Sequence, residues 1–251
     1  MEEPVILGRA ESPRGEVVLR RVYREGEQVV ELRVNGVFVM DDAETTSERA
    51  LASLALSRST GPRRVLIGGL GLGFTLAEVL RDDRVEHVTV VEIEAAVAEW
   101  MADGTIPHGP ALLADPRVEV IVDDVADVIA ERAQRSPERA LKSRERARRS
   151  DAGGAYDLVL LDVDNGPAYL VHESNADLYR TRFLTRCRDV ISPGGLLAIW
   201  SMTREEGLLR HLADRAAGSQ AAAFNDVEAV AYDVRLGERV EKYWLHLAQR
   251  T

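Results

Sequence analysis

Glycine and acidic residues lie at the ends of two predicted strands in the first third of the chain. Four glycines follow the apolar run at residues 65–67, namely Gly68, Gly69, Gly71 and Gly73. A turn that a ligand approaches closely needs unusual backbone angles and no side chain, and glycine provides both. A second β-branched run ends at Glu92, whose carboxylate can accept hydrogen bonds from both hydroxyls of a ribose. These residues indicate a nucleoside-binding site.

The segment at residues 64–94 has the order strand, glycine turn, helix, strand, acid. This order is typical of the first βαβ unit of a nucleotide-binding sheet. The spacing puts Phe74 where a dinucleotide fingerprint has its last small residue. We therefore expect a site of the S-adenosylmethionine (AdoMet) type rather than an NAD site. A glycine-rich turn that binds no ligand is the alternative.

Acidic residues also follow the next two predicted strands. Asp123 and Asp124 follow the run at 118–122, and Asp162 and Asp164 follow the run at 156–161. The carboxyl ends of parallel strands open on one edge of a sheet, so we expect these acids to lie near Glu92. Asp162 is then placed to accept a proton from an amine nucleophile. Helix capping or plain solvation at the strand ends is the alternative for each acid.

Composition narrows the class of protein. The chain has 251 residues, of which 45% are hydrophobic, enough for one sizeable α/β domain and a small additional unit. Because no long apolar segment or secretory signal is visible, we expect no membrane partner and a cytoplasmic location. The net charge of −10 argues against a nucleic-acid partner. The chain has one cysteine and no Cys or His grouping with metal-ligand spacing, so we expect no disulfide and no metal.

Turn signals divide the chain into elements. Short β-rich runs, with a hairpin signal at Asn35-Gly36, predict a small antiparallel unit at residues 1–42, and residues 43–251 would form the α/β domain. A helix is predicted at 41–59, capped by Thr46 or Ser47, and another at 177–190. Residues 131–154 are predicted to be a basic inserted arm, a charged surface loop rather than a patch for an anionic partner.

The chain resembles the spermidine synthases, which are aminopropyltransferases built on an AdoMet-methyltransferase fold. The resemblance implies a Rossmann-like α/β fold whose seven-stranded sheet is mostly parallel with an antiparallel last strand. It also implies a small N-terminal antiparallel β domain and a homodimer. The segments that carry it are LRVNGVFVMDD at 32–42, LIGGLGLG at 66–73, VVEIE at 90–94, IVDDVADVI at 121–129 and YDLVLLDVDNGPA at 156–168.

The same resemblance assigns roles to single residues. Glu92 would bind the ribose, Asp124 the adenine amino group, and Asp162 would be the catalytic acid, with Asp164 as a second catalytic acid. The expected cofactor-binding set is Gly68, Gly69, Gly71, Gly73, Glu92, Ile93, Asp123, Asp124, Val125 and Asp162. The expected acceptor-binding set is Glu48, Asp164, Tyr169, His172 and Glu173.

Departures from the family pattern decide the expected reaction. Gly71 stands where the family has an acid that holds the amine of decarboxylated AdoMet, and Thr46 and Ser47 replace a Tyr-His pair. An acid at position 71 would repel the carboxylate of AdoMet, whereas glycine tolerates it. We therefore expect methyl transfer from AdoMet to a small-molecule or peptide acceptor. Aminopropyl transfer from decarboxylated AdoMet to a polyamine is the first alternative, and a non-catalytic nucleoside-binding dimer is the second.

Overall fold

The computed structural model describes residues 3–24, 26–135, 155–214, 224–236 and 239–250. Most of the predicted basic arm, residues 136–154, lies outside the described residues, and so does the predicted turn at Gly237. The described chain forms two β-sheets, a small one followed by a large one. The predicted boundary between residues 42 and 43 falls between these sheets and stays a prediction as a domain boundary.

The small sheet is an antiparallel meander of four strands in sequence order. Asn35 and Gly36, with positive φ angles of 51° and 75°, form the turn between its last two strands, as the Asn-Gly signal predicted. One face is buried against the core of the large sheet through Val17, Leu19 and Leu32. The strands are β1 (Val5–Ser12), β2 (Gly15–Arg24), β3 (Glu27–Val34) and β4 (Val37–Asp41).

The large sheet confirms the predicted fold class. Its strand order is β10-β11-β9-β8-β5-β6-β7, and in the described chain β11 runs in the direction opposite to the other six strands. The central strands carry near-continuous apolar runs because both faces of a parallel sheet are covered. The strands are β5 (Arg64–Gly68), β6 (His87–Glu92), β7 (Val118–Val122), β8 (Tyr156–Leu161), β9 (Ile191–Ser201), β10 (Asn225–Leu236) and β11 (Arg239–Gln249).

The observed helix ends correct two of the predictions made from the sequence. The first helix has Thr45 at its N-cap without a side-chain hydrogen bond, so Thr46 and Ser47 are not caps. The helix predicted at 177–190 is divided at Arg180, whose backbone is extended. The helices are α1 (Thr46–Arg58), α2 (Phe74–Val79), α3 (Ala95–Asp103), α4 (Gly109–Leu113), α5 (Val125–Arg135), a 3-10 helix (Glu173–Tyr179), α6 (Thr181–Val190) and α7 (Glu206–Ala213).

Strand order places the functional region. β5 lies between β6 and β8, so the chain leaves β5 toward one side of the sheet and β8 toward the other. Ligands of open α/β sheets bind in the crevice that such a reversal creates at the carboxyl ends of the strands. This crevice is lined by the glycine turn after β5, by Glu92 at the end of β6 and by Asp162 after β8. None of the helices in the described ranges has the length and apolar character needed to cross a membrane.

We predict that Gly69→Ala will destabilise the fold by about 2–4 kcal/mol. The φ angle of Gly69 is 91°, and a Cβ there would lie 2.2 Å from the carbonyl oxygen of Asp162. Urea unfolding measures the change. The matched control is Gly207→Ala in α7, where a Cβ would meet nothing within 4 Å among the described residues and should cost nothing. Equal stability of the two variants would contradict this account of the turn.

Candidate active site at the carboxyl ends of the parallel strands

An acid-lined cavity of about 1060 Å³, counted with its open mouth, lies at the carboxyl ends of β5, β6, β7 and β8. β3 and β4 of the small sheet form one wall through Leu32, Val34, Val39 and Met40. Arg14 is the one cationic side chain that we find among its described lining residues. A cavity of this composition favours cationic ligands. The acidic lining residues are Glu48, Glu92, Glu94, Asp123, Asp124, Asp162 and Asp164.

Glu92 is tied to the glycine turn by backbone hydrogen bonds. Its Oε2 accepts from the N–H of Leu70 at 2.8 Å, and its Oε1 accepts from the N–H of Glu94 at 2.8 Å. Burial raises the pKa of Glu92, and these N–H groups oppose the rise. Gly69 and Gly71 line the cavity beside this carboxylate. The arrangement places one carboxylate next to backbone that carries no side chains.

The other wall near Glu92 has the features of a nucleobase slot. Ile93 is 37% exposed, and it lines the cavity with Val125. Asp124 accepts a hydrogen bond from the N–H of Ala126 at 2.8 Å and so caps α5. A capping carboxylate still has a second oxygen that can accept from an amino group. Asp123 accepts from the N–H of Asp124 and also lines the cavity. Gly68 and Gly73 lie at the two ends of the turn.

Asp162 and Glu48 form a desolvated pair of acids. The Thr75 hydroxyl donates to Asp162 at 2.5 Å, and burial raises the pKa of Asp162 to about 6. The Ser47 hydroxyl donates to Glu48 at 2.8 Å. Burial, and then the negative charge of Asp162, raise the pKa of Glu48 to about 7. Because each charge opposes the other, the two acids titrate as a unit near neutral pH.

Asp164 lies beside this pair in a left-handed backbone conformation. Its φ is 66°, uncommon for a residue other than glycine. One carboxylate oxygen accepts from the N–H of Val171, and the other accepts from the Asn175 amide at 2.8 Å. Burial raises the pKa of Asp164, whereas these two donors lower it. The side chain of Asp164 is therefore held in place within the cavity wall.

Three expected acceptor-binding residues are not among the described residues that line the cavity. Tyr169 is 55% exposed, and Glu173 is also at the surface. His172 caps the 3-10 helix by accepting from the N–H of Ser174. We therefore leave all three out of the proposed acceptor site. Their neighbours Val171 and Asn175 line the cavity instead.

Four residues lie at the site although no sequence motif indicated them. Trp200 lines the cavity, and its buried indole N–H has no hydrogen-bond partner in the described part of the chain. Met40 lies with its Sδ 2.5 Å from the position that a Cβ on Gly71 would take. Thr75 and Arg14 reach the site from a helix and from a distant hairpin turn. Only Met40 lies in a segment that the family resemblance singled out.

Comparison with known proteins identifies the family. Residues 44–225 match the sequence model described as "Spermine/spermidine synthase domain", so the chain belongs to the spermine/spermidine synthase family. A polyamine aminopropyltransferase of Aeropyrum pernix is 26% identical over 208 residues, which are 75% of this chain and 58% of that protein. Putrescine N-methyltransferase 3 of Nicotiana tabacum is 27% identical over 164 residues, 64% of this chain and 35% of that protein. The aligned part of the chain thus covers about three fifths of the length of the first relative and about a third of the length of the second.

Solved structures support the same fold. The spermidine synthase from Thermotoga maritima matches with a TM-score of 0.71 and 17% identity over 98% of this chain and 73% of that chain. A spermidine synthase in complex with the transition-state analogue AdoDATO matches with the same TM-score and identity. The resemblance seen in the sequence and its Rossmann-like fold are therefore confirmed.

We predict that Glu48→Gln will stabilise the protein at about pH 8 by about 1–3 kcal/mol. The pKa of Glu48 is about 7 when folded against an ordinary 4.5, so its ionisation costs stability as pH rises through this window. Below both values the acid is neutral in both states, and the variant should match the wild type. Thermal unfolding at both pH values measures the difference. The exposed Glu99→Gln is the control and should show no such dependence; the same pH dependence in both variants would refute the claim.

Proposed function

We propose that the protein transfers an aminopropyl group from decarboxylated AdoMet to a small amine acceptor. The observation that carries this proposal is that buried Glu48 and half-buried Asp162 line the same cavity as Glu92 and the glycine turn. A sulfonium nucleoside and an amine are both cationic, and both fit a cavity lined mainly by carboxylates. The family match and the aminopropyltransferase relative support the same reaction.

The donor would lie along the carboxyl ends of β5, β6 and β7. In this arrangement Glu92 accepts hydrogen bonds from the ribose hydroxyls, and Asp124 accepts from the adenine amino group. Ile93 and Val125, which both line the cavity, would contact the two faces of the base. The sulfonium tail would then pass Gly69 and Gly71 toward Asp162.

The reaction is a displacement at the carbon next to the sulfonium. The amine nitrogen forms a bond to this carbon, the carbon–sulfur bond breaks, and its electron pair goes to sulfur, giving methylthioadenosine. The sulfonium is already a good leaving group, so the protein mainly aligns nitrogen, carbon and sulfur. Asp162 accepts the proton that the attacking amine loses, and its raised pKa makes it a better base than an ordinary carboxylate.

Two features support an amine acceptor. Glu48 and Asp162 provide negative charge on the side of the cavity next to α1, and Trp200 provides an aromatic wall that packs against Tyr243 at 5.1 Å. An ammonium group is stabilised by carboxylates and by the face of an indole ring. These contacts favour a small amine over a peptide acceptor. The expected homodimer and cytoplasmic location remain predictions.

Methyl transfer, which Gly71 led us to expect first, is the second candidate. The family match favours aminopropyl transfer, and the methyltransferase relatives are aligned over a smaller share of the chain. Glycine at position 71 also makes less room than expected, because Met40 Sδ lies 3.2 Å from the N–H of Leu72 and fills the adjacent space. A donor carboxylate would moreover meet an acid-lined cavity. The putrescine N-methyltransferases remain the observation that favours this candidate.

Binding and product analysis test the choice of donor. We expect titration calorimetry to show decarboxylated AdoMet binding at least about tenfold more tightly than AdoMet. Incubation of the protein with decarboxylated AdoMet and putrescine should release methylthioadenosine. Glu92→Gln should weaken donor binding about tenfold or more, whereas the exposed Glu99→Gln should not. Preferred binding of AdoMet with a methylated product would support the second candidate, and no binding of either donor would overturn both.

The pH dependence of the rate tests the role of the acid pair. We expect kcat/KM for the amine to fall as pH drops through about 7 to 6, because both acids must be ionised. Glu48→Gln should move this fall to lower pH by removing the neighbouring charge. Asp162→Asn should lower kcat about a hundredfold or more at every pH. If kcat/KM fell over the same pH range in the wild type and in Glu48→Gln, the result would argue against coupled ionisation of Glu48 and Asp162.

A further inference from the structure

Arg14 joins the small sheet to the segment that follows β8. It lies in the turn between β1 and β2, and its side chain reaches the mouth of the cavity with 19% exposure. Its Nη2 donates to Asn175 Oδ1 at 2.7 Å, and its Nη1 donates to Ser174 Oγ at 3.2 Å. Its Nε lies 3.7 Å from Glu94 Oε1. One arginine therefore spans residues that are about 160 positions apart in the sequence.

The contact with Arg14 fixes the orientation of the Asn175 amide. An arginine has only donors, so it must face the amide oxygen of Asn175. The amide nitrogen then points the other way and donates to Asp164 Oδ2 at 2.8 Å. A carboxylate only accepts, so this is the one amide orientation that satisfies Arg14 and ionised Asp164 together.

We propose that Arg14 and Asn175 are positioning residues that hold Asp164 and close the segment at residues 163–175 over the cavity. The proposal rests on the proposed aminopropyl transfer, for which Asp164 is an expected acceptor-binding residue that lines the cavity. Asp164 has a φ of 66°, and its carboxylate accepts from three donors that hold this conformation, the Asn175 amide and the N–H groups of Asn165 and Val171. The small sheet thus contributes to the site through one side chain as well as through its apolar wall.

Loss of Arg14 has a defined consequence. Without Arg14 the amide oxygen of Asn175 loses its partner and the side chain gains rotational freedom, so its hydrogen bond to Asp164 is held less firmly. Asp164 would then open more often from its position, and its bond with the N–H of Val171 would open with it. Arg14 also contacts Glu94, although over the longer distance of 3.7 Å. The competing explanation is therefore that Arg14 positions Glu94 on the side of the cavity where the nucleoside would bind.

Hydrogen exchange tests the contact without requiring activity. We expect Arg14→Ala to speed exchange in the peptide covering residues 164–171 by about tenfold or more in the ligand-free protein. The control is Arg9→Ala, which removes an exposed arginine of the same hairpin that pairs with Glu16. Equal exchange in the two variants would overturn the proposal, even if the protein proves to be an active aminopropyltransferase. Unchanged circular dichroism confirms that each variant is folded.

Kinetics test the consequence for the reaction. We expect Arg14→Ala to lower kcat/KM for putrescine about tenfold while the affinity for decarboxylated AdoMet stays within about twofold. Arg14→Lys should lose less activity than Arg14→Ala, because lysine still donates to Asn175. Asn175→Asp should lose as much as Arg14→Ala, because a carboxylate at position 175 cannot donate to Asp164. Reduced donor affinity with unchanged amine kinetics would contradict the proposal and make Arg14 a nucleoside-binding residue. A wild-type protein that binds no donor would defeat the proposed function, and the exchange comparison would still decide the role of Arg14.

Discussion

The repulsion between Glu48 and Asp162 in a desolvated cavity is the interaction on which the rest of the site depends. Burying two acids next to each other raises the pKa of both toward neutrality and costs stability whenever they ionise. A cationic ligand removes this cost because it lies between two negative charges. The fold provides the acids from different layers, Glu48 from α1 and Asp162 from the end of β8, and the Thr75 hydroxyl fixes the second of them. A pair held in this way suits the cationic amine of the proposed reaction and can also take up a proton.

The sheet order determines which groups can meet this pair. Reversal of the chain direction between β5 and β8 opens the crevice, and the turn at Gly69 must pass so close to the Asp162 carbonyl that no side chain fits. The same turn donates backbone N–H groups to Glu92, which sets the distance between this carboxylate and the acid pair. The small sheet then covers the crevice with apolar side chains such as Met40. Donor position and acceptor charge are therefore consequences of one strand arrangement.

Local patterns predicted the first βαβ unit and the strand-end acids, because apolar runs, glycines and acids mark where buried strands end, whereas the seven-stranded sheet was expected from the family resemblance. The same patterns could not predict features that depend on distant contacts. Arg14 sits in an ordinary hairpin turn, and its role follows from a bond to Asn175 in another layer. Trp200 has the composition of a core residue, and only the end of β9 places it in the cavity. The predicted helix at 177–190 failed at Arg180 because the extended backbone there carries the chain from the 3-10 helix into α6.

Proton release on amine binding is the most direct test of the acid pair. Titration calorimetry of putrescine into the protein saturated with methylthioadenosine, at about pH 6.5 in two buffers of different ionisation enthalpy, counts the protons that leave the protein. With pKa values of about 6 and 7, the free pair holds about one proton at this pH, and a bound cation should expel most of it. The account predicts release of about half a proton to one proton, and much less from Asp162→Asn. Binding without proton release, or equal release from both proteins, would contradict it.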